Sequence, residues 1–162
     1  MARPREFDPD DAIEKAMHVF WDLGYDGASL PDLLAGMGIT RGSLYKAFKD
    51  KKSLFMLVLD RYDQQEVTGA VNLLSDPEIP DGWDRIMTLF TMVTDTVAKG
   101  DRRGCLLCSA AAGPASYDPD IANSVLERFA RMSAAFRRAL QAAGDDPALA
   151  DVLVVRGWPD TP

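Results

Sequence analysis

The chain holds two cysteines and one histidine in 162 residues, too few for a disulfide framework or a histidine-rich metal centre. No window approaches about 18 continuous apolar residues, which excludes a membrane-spanning helix. The amino terminus, Met1-Ala2-Arg3-Pro4-Arg5, leads into acidic residues rather than an apolar run. No secretory leader is therefore expected, and the reducing cytoplasm is the expected compartment. No stretch alternates with period two for long enough to make a strand. Groups for catalysis are scarce as well. Ser43 and Ser109 have no histidine or lysine placed as a base, and His18 lies in the first helical segment without a catalytic partner. Neither an enzyme nor a cofactor is expected.

What remains is helical periodicity. A chain of this length buries roughly 68–70% of its unfolded surface and needs no metal or disulfide to hold a core. The first helix is predicted to start at Asp8 and stop near Gly24, with Ile13, Met17 and Phe20 on one face. Ser29, with Asp32 three residues on, caps a helix of about two turns carrying Leu30, Leu33, Leu34 and Met37. Gly36-Met37-Gly38-Ile39 makes a tight connection, and Thr40 caps a second short helix with Leu44 and Phe48 on one side. Asp50 caps a long fourth helix running to about Leu74. The stretch from Ser75 to Gly82, with two prolines, breaks it and is the best front-to-rear boundary. Behind it, helices are predicted from Trp83 to Lys99, from Cys105 to Ala112 and from Asp118-Pro119 to Gly144. An eighth, beginning at Asp146-Pro147, is cut short near Val155.

Two very short helices joined by a glycine-containing turn, between longer helices, have the layout of a helix-turn-helix. The net charge of −7 argues against nucleic acid as a partner, but its distribution does not. Between residues 40 and 52, Arg41, Lys46, Lys49, Lys51 and Lys52 face Asp50 alone, a local balance of +4. A recognition helix must bring donors near its N-terminus to base edges and further donors to phosphates on either side. Arg41 can bond a guanine edge through two N–H groups. Gly42 allows close approach to the groove, Ser43 can donate to base or phosphate, and Tyr45, Lys46, Lys49 and Lys52 suit phosphates. Ser29 and Thr40, at the two caps, complete the candidate contacts to double-stranded DNA.

These residues also carry a family likeness. The segment from Phe7 to Tyr62 resembles the DNA-binding head of the TetR/AcrR family of bacterial transcriptional regulators. The likeness is carried above all by Phe20-Trp21-Asp22-Leu23-Gly24-Tyr25-Asp26-Gly27-Ala28-Ser29-Leu30. A second run, Gly38-Ile39-Thr40-Arg41-Gly42-Ser43-Leu44-Tyr45-Lys46-Ala47-Phe48-Lys49-Asp50-Lys51, carries it further. Arg103-Gly104-Cys105-Leu106-Leu107 with Asp118-Pro119 is similar to the ligand-binding part of one subgroup. The resemblance implies an all-α homodimer that binds a two-fold operator and represses transcription. A small-molecule effector, of unknown identity, would enter the rear helices and change the separation of the two heads. The expected organisation is a helix-turn-helix head over residues 1–50, with the connecting helix continuing to about 62. Residues 51–162 would form the effector-binding and dimerisation part. The family's final pair of long helices is missing from the pattern, so the bundle is expected to be shortened at its C-terminus, or the dimer to use another surface.

The rear offers softer signals. Met87, Phe90, Phe129 and Met132 suit either plain core or an adaptable apolar pocket, and with Cys105 and Cys108 they form the candidate effector set. Cys105 and Cys108 share a helical face at the C-x-x-C spacing. Core packing, pocket lining and redox sensing all fit, whereas a zinc site lacks its second ligand pair. A rival function stays open: a helical small-molecule-binding or redox-sensing module that has lost operator binding through its shortened rear.

Overall fold

The computed structural model describes residues 7–150, and these are helical without strands. Helix α1 (Pro9–Gly27) begins where Asp8 accepts a hydrogen bond from the Asp10 amide at 2.9 Å, with Pro9 in the first turn. It breaks at Gly24, whose φ of 74° and ψ of 166° are not helical, and only a short turn follows to Gly27. The predicted stop is therefore a kink. Helix α2 (Leu30–Met37) starts in a capping box: the Ser29 amide donates to Asp32 at 2.9 Å and the Asp32 amide donates back to the Ser29 hydroxyl at 3.3 Å. Gly38, at φ 68°, closes it in the left-handed region where glycine is unstrained. Helix α3 (Arg41–Phe48) is capped by Thr40, whose hydroxyl oxygen accepts from the Ser43 amide at 3.2 Å. Each such cap contributes about 1 kcal/mol.

The predicted long fourth helix is interrupted. Helix α4 (Lys51–Tyr62) passes into a π-helical turn at Asp63–Val67 before α5 (Thr68–Leu74) resumes. Arg131 donates to both Asp63 carboxylate oxygens, at 2.7 and 2.6 Å. That contact lies 68 residues away in sequence and leaves no local signature. Helix α6 (Gly82–Ala98), α7 (Leu106–Ala112) and α8 (Pro119–Ala142) follow, with a 3-10 turn at Pro114–Tyr117 that periodicity did not indicate. The second half of the predicted eighth helix, from residue 151 on, lies outside the described residues.

The chain divides into two compact units. The first joins residues 7–62 with Cys105–Ala122. In it α1 packs against α2, α4 and α7. Phe20 meets Phe55 edge-on at 4.8 Å and Tyr25 sits 4.7 Å from Phe55, around fully buried Leu33, Leu44, Leu54 and Leu59. Each buried side chain of this size stabilises by roughly 1.5–3 kcal/mol. The expected division at residue 50 followed chain order. The compact unit also takes in α7 and the start of α8, because α7 buries Leu106 and Leu107 and packs on α1.

The second unit, Asp63–Gly104 with residues 123–150, has a smaller core of Leu74, Ile86, Ala135, Phe136, Ala139 and Leu140. Every residue of α6 from Thr91 onward is exposed. Among the described residues, no helix is long and apolar enough to cross a membrane.

Candidate nucleic-acid interface

Helix α3 divides cleanly into two faces. Leu44 and Phe48 are buried in the head, and Phe7 touches Phe48 with ring centroids 6.1 Å apart. Arg41, Gly42, Tyr45, Lys46 and Lys49 are exposed, Tyr45 at 49%. Leu44 and Phe48 lie four apart on the helix, so the residues between them point outward. The two buried side chains thus fix the rotation of the polar face about the helix axis. Ser43 is half-buried, and its hydroxyl lies 2.9 Å from the Thr40 hydroxyl, which is also its partner in the cap. The hydroxyls of Ser29 and Thr40 are exposed yet engaged in caps. Both set the helix starts before they can offer anything to DNA.

The far end of α3 turns sharply. Lys49 has φ 71° and ψ −58°, and the Asp50 amide donates to the Phe48 carbonyl at 2.8 Å. This is a γ-turn of the rare, strained kind for a non-glycine residue. It reverses the chain in a single residue and leaves the Lys49 ammonium exposed. Asp50 then caps α4 by accepting from the Ser53 amide at 2.7 Å. That bond, the Ser53 hydroxyl and the nearby Lys49 and Lys52 hold its carboxyl below the ordinary range.

The basic island is less uniform than its sequence. Lys52 does not face outward as a free cation. Its ammonium is 2.8 Å from Asp118 and 2.6 Å from Asp120, which raise its pKa, and the same bond lowers that of Asp118. Lys52, expected to meet phosphate, here ties α4 to the start of α8. Lys51 is withdrawn too. It lies 4.7 Å above the Tyr25 ring, and burial lowers its pKa. Burial, followed by repulsion from Asp118, raises that of Tyr25. Arg41, Lys46 and Lys49 are left exposed, with no ion pair among the described residues.

The rear candidates fall in both units. Met87 and Phe90 are 57% and 41% exposed, Phe90 has its ring 6.4 Å from Phe136, and Met132 packs on the small core. Phe129 is half-buried. In the head unit Cys105 is half-buried and Cys108 exposed, both as free thiols. A cavity of about 200 Å³ in that unit is lined by Leu23, Tyr25, Asp26, Ser109, Ala110 and Ala115 among others, and by none of the six effector candidates.

A family model of bacterial regulatory proteins, the tetR family, matches residues 12–58, the span of α1 to most of α4. The HTH-type transcriptional repressor ComR of Escherichia coli (strain K12) is 32% identical over 159 residues, covering 93% of this chain and 73% of ComR. The repressor BdcR of the same strain is 33% identical over 117 residues, covering 72% of this chain and 57% of BdcR. A solved structure of the TetR family transcriptional regulator CifR, complexed with a 26 bp double-strand operator DNA, matches with a TM-score of 0.72 at 32% identity. It covers 98% of this chain and 79% of the CifR chain. The chain belongs to the TetR family.

In this TetR-family head, local sequence revealed the caps and the two faces of α3. It missed the engagement of Lys51 and Lys52, whose partners Tyr25, Asp118 and Asp120 lie far along the chain. Asp118 and Asp120 had shown only as a helix start, and no spacing rule links them to Lys52.

Proposed function

We propose that the protein is a transcriptional repressor that reads a palindromic operator as a homodimer, in the cytoplasm, and releases it when a small effector binds. The observation that carries the reading is the outward polar face of α3, with Arg41 in its first turn and Leu44 and Phe48 anchored beneath. Arg41 reads a guanine edge through two N–H groups, Gly42 admits the groove wall, and Tyr45, Lys46 and Lys49 meet phosphates on either side. Ser29, Thr40 and Ser43 hold the two helix starts so that their free amides face the DNA backbone.

One head alone covers half a site. Two heads can occupy successive major-groove faces when they are separated by about 34–36 Å, so a second copy of the chain doubles the contacts. Effector and operator then oppose each other through a coupling free energy of about 1–3 kcal/mol. Met87, Phe90, Phe129 and Met132, all in the second unit, supply adaptable apolar surface for the effector. The relatives named as repressors and the operator complex of CifR support this reading.

The test is selection of bound duplexes from a random pool. Enrichment of a palindrome with half-sites about 10 base pairs apart, bound by a species sedimenting as a dimer, is the expected result. Enrichment of no sequence, by a strict monomer, would instead favour a helical module that does not read an operator.

A further inference from the structure

We propose that Asp118 and Asp120, at the start of α8, are an intramolecular stand-in for DNA phosphate: they hold the Lys52 ammonium and so keep the head's affinity for any duplex below what its cations could supply. The proposal deepens the operator reading and rests on it for the placement of α3 on DNA.

Lys52 belongs to the same edge of the head as a cation assigned to phosphate. It lies in the first turn of α4, three residues beyond Lys49, which the sharp turn after α3 leaves exposed. Lys49 and Lys52 both lie close enough to Asp50 to act on its carboxyl. That carboxyl is occupied as the cap of α4, accepting from the Ser53 amide, so it does not hold the Lys52 ammonium. A flexible four-carbon stem lets a lysine choose among the anions within its reach. On DNA that choice would include the backbone.

The acids that take it are preorganised. The ammonium donates to Asp118 at 2.8 Å and to Asp120 at 2.6 Å, near the roughly 2.7–2.9 Å of charge-assisted bonds. Asp118 is fixed in its turn, since its carboxylate accepts from the Asp120 amide at 3.0 Å and the Ile121 amide at 3.4 Å. The positive end of α8 steadies both carboxylates. An isolated surface pair contributes little, because two long side chains must be ordered and salt screens them. Here the acids are short, one is locked in a cap, and Lys52 and Asp118 are both half-buried.

Charge decides the competition. A phosphate offers Lys52 one negative charge, whereas Asp118 and Asp120 offer two. Moving the ammonium to DNA would leave both carboxylates unneutralised beside a polyanion, so the lost tie and the new repulsion oppose the transfer together. One cation against two carboxylates leaves the cluster at −1, where Lys52 alone would give +1. Each phosphate neutralised by a cation steepens the fall of log K with log salt by about 0.9 on B-DNA. Releasing Lys52 therefore adds about 0.9 to the slope per head, so that a fourfold dilution of salt strengthens binding about 3.5-fold more.

The experiment measures dissociation constants of the full chain for a selected operator duplex and for a random-sequence duplex of equal length, over a potassium chloride series. Asparagine has the size of aspartate and is itself a good cap, so Asp118→Asn with Asp120→Asn should keep the far-ultraviolet spectrum. This double variant should bind both duplexes more tightly at low salt, with a slope steeper by about 0.9 per head. Asp120→Asn alone leaves the Asp118 cap intact and should shift the slope in the same direction. In a Lys52→Met background the two asparagine substitutions should leave the slope unchanged, since no ammonium remains to be released; that arm separates release of Lys52 from the bare loss of two acids. A double variant with the native slope, equal steepening in the Lys52→Met background, or a slope that falls when Lys52 alone is replaced would each overturn the proposal. Equal affinity of the native chain for both duplexes would overturn the operator reading instead, while the slopes on random DNA still decide the role of Asp118 and Asp120.

Discussion

Replacing Gly36 by alanine should destabilise the head, against the usual effect of that substitution in a helix. Gly36 lies inside α2, where alanine is favoured over glycine by roughly 1 kcal/mol. A Cβ built there falls 2.4 Å from Cγ2 of Val19 on α1, whereas two carbon atoms sit best at about 3.5–4.0 Å. Val19 cannot swing away freely, since a β-branched side chain in a helix holds one rotamer roughly 90% of the time. Overpacking of this kind costs about 1–3 kcal/mol, so the net loss for Gly36→Ala is about 0–2 kcal/mol once propensity is credited. In a Val19→Ala background the obstructing methyl is gone, and the same change should stabilise by about 1 kcal/mol. The sign reversal corresponds to a coupling energy of about 1–3 kcal/mol between the two positions. Urea unfolding of the four variants, followed by far-ultraviolet circular dichroism, reads it directly. If Gly36→Ala stabilised both backgrounds equally, close approach of α1 and α2 would not be the reason for glycine at this position.

Three further outcomes follow from the site and its supports. Arg41→Ala should relax discrimination at one or two base pairs of a selected duplex by about 1–3 kcal/mol, whereas Lys46→Ala should weaken all duplexes alike and reduce the salt slope by about 1 per head; competition assays over a salt series separate them. Asp63→Ala removes a carboxylate that Arg131 holds at 2.6 Å and that lies 3.8 Å from the buried Arg128, and should cost about 1–3 kcal/mol by denaturant unfolding, against little change for the exposed Glu78→Ala. The carboxyls of Asp32, Asp50 and Asp118 are held below their ordinary value of 3.8, by hydrogen bonds from Ser29, from Ser53 and from Lys52 respectively. A lowered folded value means stability that is present above 3.8 and lost as the pH falls through the lowered values, so the thermal midpoint should drop on the acid side, and Lys52→Met should remove the Asp118 part of that drop.

How much of this was legible in the sequence depends on how far each feature reaches. The starts of α1, α2 and α3 were readable because a cap is settled within four residues: Asp8 with Asp10, Ser29 with Asp32, Thr40 with Ser43. The two faces of α3 were readable for the same reason, since Leu44 and Phe48 lie one helical turn apart. Gly36 is the instructive failure. As letters, Gly36-Met37-Gly38-Ile39 looks like one tight connection, yet only Gly38 turns the chain, and Gly36 is a helical position emptied to admit Val19. Lys52 and Asp63 depend on partners 68 residues distant, and α7 joins the head by packing on α1, still farther back along the chain, and periodicity carries no record of them. The apolar stripe of α6 misled in another way. Met87, Phe90, Val93 and Val97 repeat at helical spacing, yet they are 41–57% exposed, because a stripe states that a face is apolar and not that anything covers it.

The acidic balance of the chain fits operator binding once charge is considered by distance. Outside residues 40–52 the formal charge is −11, against +4 within them and −7 in all. At physiological salt, charges separated by more than about 8 Å are largely screened from each other, so affinity follows the few cations that reach the phosphates. Helix α3 is eight residues long, about 12 Å at 1.5 Å per residue, and its exposed cations stand at its two ends and between them. With Lys51 held over Tyr25 and Lys52 bound to Asp118 and Asp120, the exposed cations of this segment without an ion pair among the described residues are Arg41, Lys46 and Lys49. A surface with so few cations gains little from random phosphates, and the acidic remainder opposes docking by any other face. Most of the binding free energy must then come from contacts that only the right sequence supplies, so discrimination should survive at salt concentrations low enough to blur it in a strongly basic head.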